Sequence, residues 1–172
     1  MLKLNLGCCD HRMPGYLGVD RCFGPGVDQV ADLRFPWPWE ESTIEEIVAH
    51  DVFEHIDNND YRGQLGIVWA MNEAHRVLKP GGKLDLVVPS LPGYAPWVDP
   101  THVNVWTADT RYYFDARWNY SGGERGRLGP AYGITALFKT VGGRSGVDWK
   151  PVQYAPDAPD RHKIMVILEA VK

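Results

Sequence analysis

The chain has 172 residues, of which 44% are hydrophobic and 23% are charged, and its formal net charge is −4. This length suffices for one domain with a hydrophobic core, and the composition is that of an ordinary globular protein. An acidic chain lacks the basic face that general nucleic-acid binding requires. No segment approaches the roughly 18 apolar residues of a membrane span, and no cleavage signal is evident. Three cysteines without metal-type spacing form no disulfide framework. We therefore expect a cytoplasmic protein.

The first element in the chain is an aliphatic strand that runs directly into a glycine turn. Leu2–Leu6 alternates as a buried strand does, and Gly7 follows it. A second short strand, Tyr16–Val19, ends at Asp20. Glycine lets a backbone approach a ligand closely, and a carboxylate at the next strand end can accept hydrogen bonds from ribose hydroxyls. The pair indicates an adenosine pocket, although a plain turn explains an isolated glycine equally well.

The following elements continue an alternation of strands and helices over residues 1–88, which predicts a parallel sheet. A helix is indicated where apolar residues recur at helical spacing after a capping Asn or Asp, and a Lys-Pro-Gly-Gly sequence ends it. In chain order, the predicted elements are a strand end at Val30–Leu33 that carries Asp32, a strand at Ile44–His50, a helix from Asn59 or Asp60 to Leu78, and a strand at Lys83–Pro89.

The second half of the chain has a different character. Residues 89–133 are rich in Pro, Gly and aromatic residues and are too long for a simple connection, so we interpret them as a lid over a substrate. Residues 134–172 should close the sheet, and we predict one domain in three parts. The predicted elements here are a short helix at Thr110–Trp118, a helical or extended stretch at Ile134–Val141, and an antiparallel pair of strands at Val147–Tyr154 and Lys163–Val171.

Five segments together resemble the class I S-adenosylmethionine-dependent methyltransferases, and specifically the small type 11 group. The segments are LNLGCC, GYLGVD, ADLRFPWPWEESTIEEIVAHDVFEHI, EAHRVLKPGG and KLDLVVP, which follow the order of that family over residues 2–90. The resemblance implies an α/β fold with a Rossmann-like sheet, mostly parallel with an antiparallel C-terminal strand. It also implies S-adenosylmethionine as cofactor. Relative to the family, we expect a minimal form that lacks an N-terminal cap.

The resemblance also implies which residues bind the cofactor. Gly7 and the adjacent main chain would approach the methionine moiety, Asp20 would accept the ribose hydroxyls, and Asp32 would accept the exocyclic amine of adenine. Backbone carbonyls at the end of the fourth strand would hold the ammonium group. The complete predicted set is Asn5, Gly7, Cys8, Asp20, Asp32, Leu33, His50 and Asp51.

His102 is the predicted catalytic residue, with Asp99 as its partner. Both follow the fifth strand, and an imidazole near neutral pH can take a proton from a hydroxyl nucleophile. Glu54 and His55 are interpreted as structural, since an acid in the first turn of a helix is favoured by the helix dipole. A metal site formed by Asp99, His102, His50 and His55 is a less favoured alternative because its spacing matches no known ligand pattern. The prediction is accordingly that no metal is bound.

The sequence therefore predicts a methyltransferase that acts on an oxygen or nitrogen nucleophile of a small or saccharide-like acceptor and releases S-adenosylhomocysteine. Two alternatives remain open. One is a non-catalytic S-adenosylmethionine-binding module of the same fold. The other is a nicotinamide-dependent oxidoreductase. Such an enzyme should show G-x-G-x-x-G and a helix N-terminus for a pyrophosphate, and we expect neither from this sequence. We further expect no membrane association and a homodimer, because a capless domain with many aromatic residues should expose an apolar patch.

Overall fold

A single mixed sheet organises the chain in the computed structural model, which describes residues 1–57, 63–117, 129–143, 152–155 and 158–172. Within these ranges the strand order is β3-β2-β1-β4-β5-β8-β6, and β7 pairs with β8 outside this path. The strands are β1 (Leu2–Leu6), β2 (Leu17–Asp20), β3 (Gln29–Val30), β4 (Ile44–His50), β5 (Leu78–Pro89), β6 (Phe138–Gly142), β7 (Val152–Ala155) and β8 (Ala158–Ala170).

The predicted fold class is confirmed. Neighbouring strands from β3 to β5 pair in parallel, whereas β8 is antiparallel to β5, β6 and β7. The predicted bounds of β1 and β4 agree with the structure. Leu6 at the end of β1 pairs with Val19 of β2 and with Ala49 of β4. The carboxyl ends of these three strands therefore meet at one edge of the sheet, where open α/β sheets bind ligands.

The helix α1 (Gly66–Val77) covers the central strands and is shorter than predicted. Residues 63–65 are not helical, and Asn59 and Asp60 lie outside the described residues. A Cβ atom at position 66 would lie 2.0 Å from the Ile56 carbonyl oxygen. Glycine thus lets the first turn of α1 rest against the chain that follows β4. This close packing, rather than an Asn or Asp cap, sets the start of the helix.

The sequence that was predicted to end the helix belongs to β5 instead. This strand begins at Leu78, which is fully buried and pairs with Ile44 of β4. The helix accordingly ends at Val77, one residue earlier than expected. Burial of Leu78 and the added pairing explain why the strand extends back through the Pro-Gly-Gly sequence.

The second half of the chain contains only short helices within its described part. The helix α2 (Ala95–Val98) follows β5, and a 3-10 helix at Ala108–Tyr113 is capped by Thr107. This 3-10 helix begins earlier than the predicted helix at 110–118, and Trp118 lies outside the described residues. The stretch left open as helical or extended is extended, since β6 occupies its end.

The closing strands form the predicted antiparallel pair. Ala155 of β7 pairs with Ala158 of β8, while residues 147–151 and 156–157 lie outside the described ranges. Strand β8 begins five residues before the predicted start at Lys163. Among the described residues, no helix combines the length and apolar character needed to cross a membrane.

Candidate functional site

A cleft of about 490 Å³ opens at the carboxyl ends of the parallel strands. Five of the residues predicted to bind the cofactor line it, and together they end or follow the four strands β1 to β4. The predicted residues in the wall are Gly7, Asp20, Asp32, Leu33 and Asp51, and the others are Arg21, Arg34, Val52, His55, Ile56, Asp57, Thr101 and Val103.

Gly7 lines this cleft, and the position requires glycine for two independent reasons. Its φ is +66°, a left-handed conformation that side chains disfavour. In addition, a Cβ atom there would lie only 2.4 Å from Cγ2 of Val52. The Gly7 amide donates to the Val19 carbonyl at 2.8 Å, which fixes the turn to β2. Backbone conformation and close packing both require glycine at this position.

Asp20 organises the loops on either side of its strand end. One of its carboxylate oxygens accepts the Cys9 amide at 3.0 Å, and the other accepts the Cys22 amide at 3.1 Å. Each carboxylate oxygen has two acceptor positions, so both retain capacity for a further donor. The geometry is compatible with the predicted ribose contact and also gives Asp20 a role in shaping the loop.

Asp32 is held by Arg34, a residue that was not among the predicted site residues. The Arg34 guanidinium donates to both Asp32 oxygens, with Nη2 at 2.6 Å from Oδ2, and its Nη1 lies 3.2 Å from Oδ2 of Asp57. This side-chain hydrogen bond holds the pKa of Asp32 below its ordinary value. An arginine two residues after a strand-end acid was the available signal. Arg34 therefore belongs among the candidate site residues.

Three predicted cofactor residues direct their side chains elsewhere. The buried Asn5 amide donates to the His11 carbonyl at 3.1 Å, which orients the loop after β1. The Cys8 thiol is buried 3.3 Å from the Gly26 carbonyl, and burial raises its pKa. His50 Nε2 lies 3.2 Å from a carboxylate oxygen of Asp85. The main-chain contacts predicted for Cys8 and His50 stay predictions.

A second, smaller cavity of about 210 Å³ lies beside the cleft. Asp51 borders both spaces, so they adjoin each other at the end of β4. Lys163 donates to Asp51 at 2.6 Å and also borders the smaller cavity. The complete wall is Asp51, Glu54, Pro89, Ala95, Val98, Asp99, His102 and Lys163.

Glu54 is the most unusual group in this second cavity. It is only 1% exposed, and neither of its carboxylate oxygens has a hydrogen-bond partner among the described residues. Burial raises its pKa to about 8, and the charge of Asp51 acts in the same direction. His102 Nε2 lies 3.9 Å from Oε1 of Glu54. A buried carboxyl without a donor is costly and indicates a function beyond capping a helix.

The predicted catalytic pair, His102 and Asp99, meets the cavity through separate contacts. His102 Nδ1 lies 3.2 Å from the Pro96 carbonyl oxygen. Asp99 Oδ1 accepts the Thr101 hydroxyl at 2.6 Å, and that hydroxyl oxygen lies 2.9 Å from His55 Nδ1. The side chain of Asp99 thus orients His55, whereas the Pro96 carbonyl orients His102.

The aromatic segment is partly built into the core. Trp106 and Phe114 are buried, and the Leu91 amide donates to the Trp106 carbonyl at 3.0 Å. Tyr94 and Trp97 are exposed. Residues 118–128 of the predicted lid lie outside the described residues, and its movement on ligand binding stays a prediction.

Comparison with known proteins identifies the fold. No protein-family model and no curated protein matches the chain. Among solved structures, a 1,6-didemethyltoxoflavin N1-methyltransferase from Burkholderia thailandensis, with bound 1,6-didemethyltoxoflavin and S-adenosylhomocysteine, is 12% identical with a TM-score of 0.60, covering 99% of this chain and 71% of that one. A SAM-dependent methyltransferase from Methanosarcina mazei is 13% identical with a TM-score of 0.57, covering 98% and 92%. The [4+2]-cyclase SpnF is 12% identical with a TM-score of 0.56, covering 98% and 75%. These similarities establish the fold and leave the activity to the chemistry of the site.

Proposed function

We propose that this protein is an S-adenosylmethionine-dependent methyltransferase that acts on an oxygen or nitrogen nucleophile of a small or saccharide-like acceptor. The observation that carries the proposal is the cleft at the carboxyl ends of β1, β2 and β4. It combines a glycine with positive φ and strand-end carboxylates within about 490 Å³. That arrangement suits an adenosine with an attached amino acid, and two similar folds are those of named methyltransferases.

In this proposal each strand end binds one part of the cofactor. Asp20 accepts the ribose hydroxyls with the acceptor capacity that its two loop amides leave. Leu33 packs against adenine, and Asp32 faces the adenine amine while Arg34 holds it. Gly7 admits the methionine portion, and the backbone around Asp51 accepts its ammonium group. The cofactor supplies an activated methyl group on a sulfonium.

The acceptor would enter the smaller cavity, next to the methyl group. Asp51 borders both spaces, so a nucleophile in the cavity lies beside the ligand of the cleft. Methyl transfer from a sulfonium needs mainly alignment and exclusion of water. His102 remains the predicted catalytic residue, since its Nδ1 is held by Pro96 and its Nε2 is directed toward Glu54. Asp99 acts on the site through Thr101 and His55.

Calorimetry distinguishes this proposal from its two rivals. We expect S-adenosylmethionine and S-adenosylhomocysteine to bind at micromolar or tighter affinity and NAD to give no heat of binding. A nicotinamide-dependent oxidoreductase would give the reverse pattern. A non-catalytic module would bind the first two ligands but release no S-adenosylhomocysteine with a panel of hydroxyl and amine acceptors. One similar fold is that of a [4+2]-cyclase, so the fold alone does not decide the reaction, and turnover is measured separately from binding.

We also propose that the chain forms a homodimer through the apolar surface at α2. Trp97 is 67% exposed and Val98 is 50% exposed, and Tyr94 lies beside them in the sequence. Light scattering at tens of micromolar protein should report twice the chain mass of 19.4 kDa. A particle of the monomer mass at that concentration would contradict the dimer.

A further inference from the structure

Glu54, His55 and His102 form a cluster at the junction of the two cavities. One carboxylate oxygen and one nitrogen of each imidazole lie within 4.8 Å of one another. Glu54 and His55 belong to a 3-10 helix, Phe53–His55, that follows β4, whereas His102 belongs to the loop after α2. The Val103 amide donates to the Glu54 carbonyl at 2.9 Å, which holds the two segments together. The cluster is therefore built into the fold rather than formed by mobile surface groups.

Hydrogen bonding assigns the tautomer of the neutral His102 imidazole. Its Nδ1 faces the Pro96 carbonyl oxygen at 3.2 Å, and a carbonyl can only accept. The proton must then reside on Nδ1 of the neutral imidazole. The lone pair is left on Nε2, the nitrogen that lies 3.9 Å from Glu54.

Two successive hydrogen bonds assign the tautomer of His55 in the same way. The Thr101 hydroxyl lies 2.6 Å from Asp99 Oδ1, and an ionised carboxylate can only accept, so the hydroxyl proton points toward Asp99. The hydroxyl oxygen must consequently accept from His55 Nδ1, which lies 2.9 Å away. The lone pair of His55 is also on Nε2. A carboxylate behind an imidazole in this way is the common outer support of a metal-binding histidine.

Glu54 thus receives no hydrogen bond from either imidazole of the cluster. The carboxyl group of Glu54 is 1% exposed and has no hydrogen-bond partner among the described residues; His102 Nε2 lies 3.9 Å from it, and a ring nitrogen of His55 lies within 4.8 Å. The nearby cation, Lys163, donates to Asp51 at 2.6 Å. The 3.9 Å separation of Glu54 and His102 is too long for a hydrogen bond. Ligand atoms that share one Zn²⁺ lie roughly 3.3–3.5 Å apart, so small side-chain rotations would bring these groups onto a common ion.

We propose that Glu54, His55 and His102 bind a divalent transition-metal ion, of the class that takes imidazole and carboxylate ligands, such as Zn²⁺, Mn²⁺ or Fe²⁺. Two imidazoles disfavour Mg²⁺ and Ca²⁺, which prefer oxygen ligands. Three protein ligands leave coordination positions open, as catalytic metal sites do. The alternative metal site considered from the sequence combined two of these residues, His55 and His102, with His50 and Asp99. In the structure His50 contacts Asp85, Asp99 supports His55 from behind, and Glu54 supplies the carboxylate.

The role of the ion in catalysis rests on the proposed function. His55 borders the cofactor cleft, whereas Glu54 and His102 border the smaller cavity. An acceptor hydroxyl held there would release its proton to water more readily, because a bound cation lowers the pKa of a coordinated hydroxyl. Its oxygen then forms the C–O bond as the C–S bond of the sulfonium breaks, which leaves neutral S-adenosylhomocysteine. In this mechanism His102 is a ligand and does not act as the general base.

Metal titration of chelator-treated protein tests the site without any assay of turnover. We expect one equivalent of Zn²⁺ to bind at micromolar or tighter affinity, and Co²⁺ to develop the visible absorption of a site with nitrogen and oxygen ligands. Glu54→Gln, His55→Gln and His102→Gln should each weaken Zn²⁺ binding by at least about tenfold. The matched control is His50→Gln, an exposed histidine at the end of β4 that should bind Zn²⁺ as the parent does.

Thermal unfolding of each variant, followed by circular dichroism, separates loss of the metal site from loss of the fold. If the buried Glu54→Gln variant fails to fold, the variant of His55, which is exposed, and the variant of His102, whose side chain is 10% exposed, still decide the question. Absence of binding by Zn²⁺, Mn²⁺ and Fe²⁺ to the parent would overturn the proposal, as would undiminished binding in both histidine variants. The latter result would favour a protonated Glu54 and His102 as a general base. Metal binding without S-adenosylmethionine binding would retain the metal site and reject the proposed function.

Discussion

The cofactor cleft and the cluster of Glu54, His55 and His102 are adjacent but arise in different ways. The cleft is formed where successive strands end, so its carboxylates and its glycine appear in the sequence at recognisable places. The cluster is formed where two loops, nearly fifty residues apart, are joined by main-chain hydrogen bonds. The comparison teaches that sheet geometry positions the glycine and the carboxylates of the cleft, whereas loop contacts position the side chains of the cluster.

The largest expected effect lies in the cluster. His102→Ala should lower single-turnover methyl transfer by roughly 10²–10⁴ if the acceptor is a hydroxyl, because loss of the acceptor proton depends on His102, whether as a general base or as a ligand of the proposed ion. The affinity for S-adenosylhomocysteine should stay within a few-fold of the parent, because His102 does not border the cleft. A turnover rate close to that of the parent would remove His102 from catalysis and leave alignment alone.

In the cleft, by contrast, a substitution should weaken ligand binding. Asp20→Ala should weaken S-adenosylhomocysteine binding by about 1–3 kcal/mol, the range for hydrogen bonds to a charged acceptor. Asp10→Ala is the matched control, because Asp10 is an exposed acid in the connection between β1 and β2 and does not border the cleft. Calorimetry on both variants measures the difference. Equal affinities would exclude Asp20 from the binding site.

Gly7 tests whether packing or backbone conformation shapes the cleft. Both Gly7→Ala and Gly15→Ala place a side chain at positive φ, at a cost of about 1–2 kcal/mol. Only position 7 adds a collision, since nothing lies within 4 Å of a Cβ atom at position 15. The free energy of unfolding should therefore fall more for Gly7→Ala, and adding Val52→Ala should restore part of it. Equal losses at both positions would show that the Val52 contact is unimportant.

The smallest expected effect is the pH dependence that the Arg34 ion pair gives to stability. The pKa of Asp32 is lower in the folded protein than in the unfolded chain, so its stabilisation is present above the unfolded pKa and is lost as the pH falls through the folded value. Both side chains are partly exposed, which limits the gain to about 1 kcal/mol or less. The difference in unfolding free energy between the parent and Asp32→Asn should thus shrink below about pH 4. A difference in unfolding free energy that stays constant from about pH 3 to 7 would contradict this pH dependence.

The cleft and the cluster also differ in how far the sequence could predict them. The alternation in Leu2–Leu6 and the composition of Ile44–His50 predicted β1 and β4 with their observed bounds, because local pattern determines a buried strand. The acids at the strand ends were predicted from the same strand pattern. Glu54 was interpreted as an acid at a helix start, since its burial depends on the later loop that folds over it. No local pattern brings residue 54 next to residue 102.

The side chain of Asn104 has a consequence for how this protein can diverge. Its amide donates to the Phe53 and Ile56 carbonyls at 3.0 and 2.6 Å, and its own backbone amide donates to the Glu54 carbonyl. Insertions between α2 and Asn104 must therefore leave this anchor in register. New acceptor preferences should arise by lengthening or replacing the stretch before residue 102, with the anchored pair of loops inherited as one block. A transplanted acceptor loop would need the Asn104 anchor and its partner segment to be transferred together.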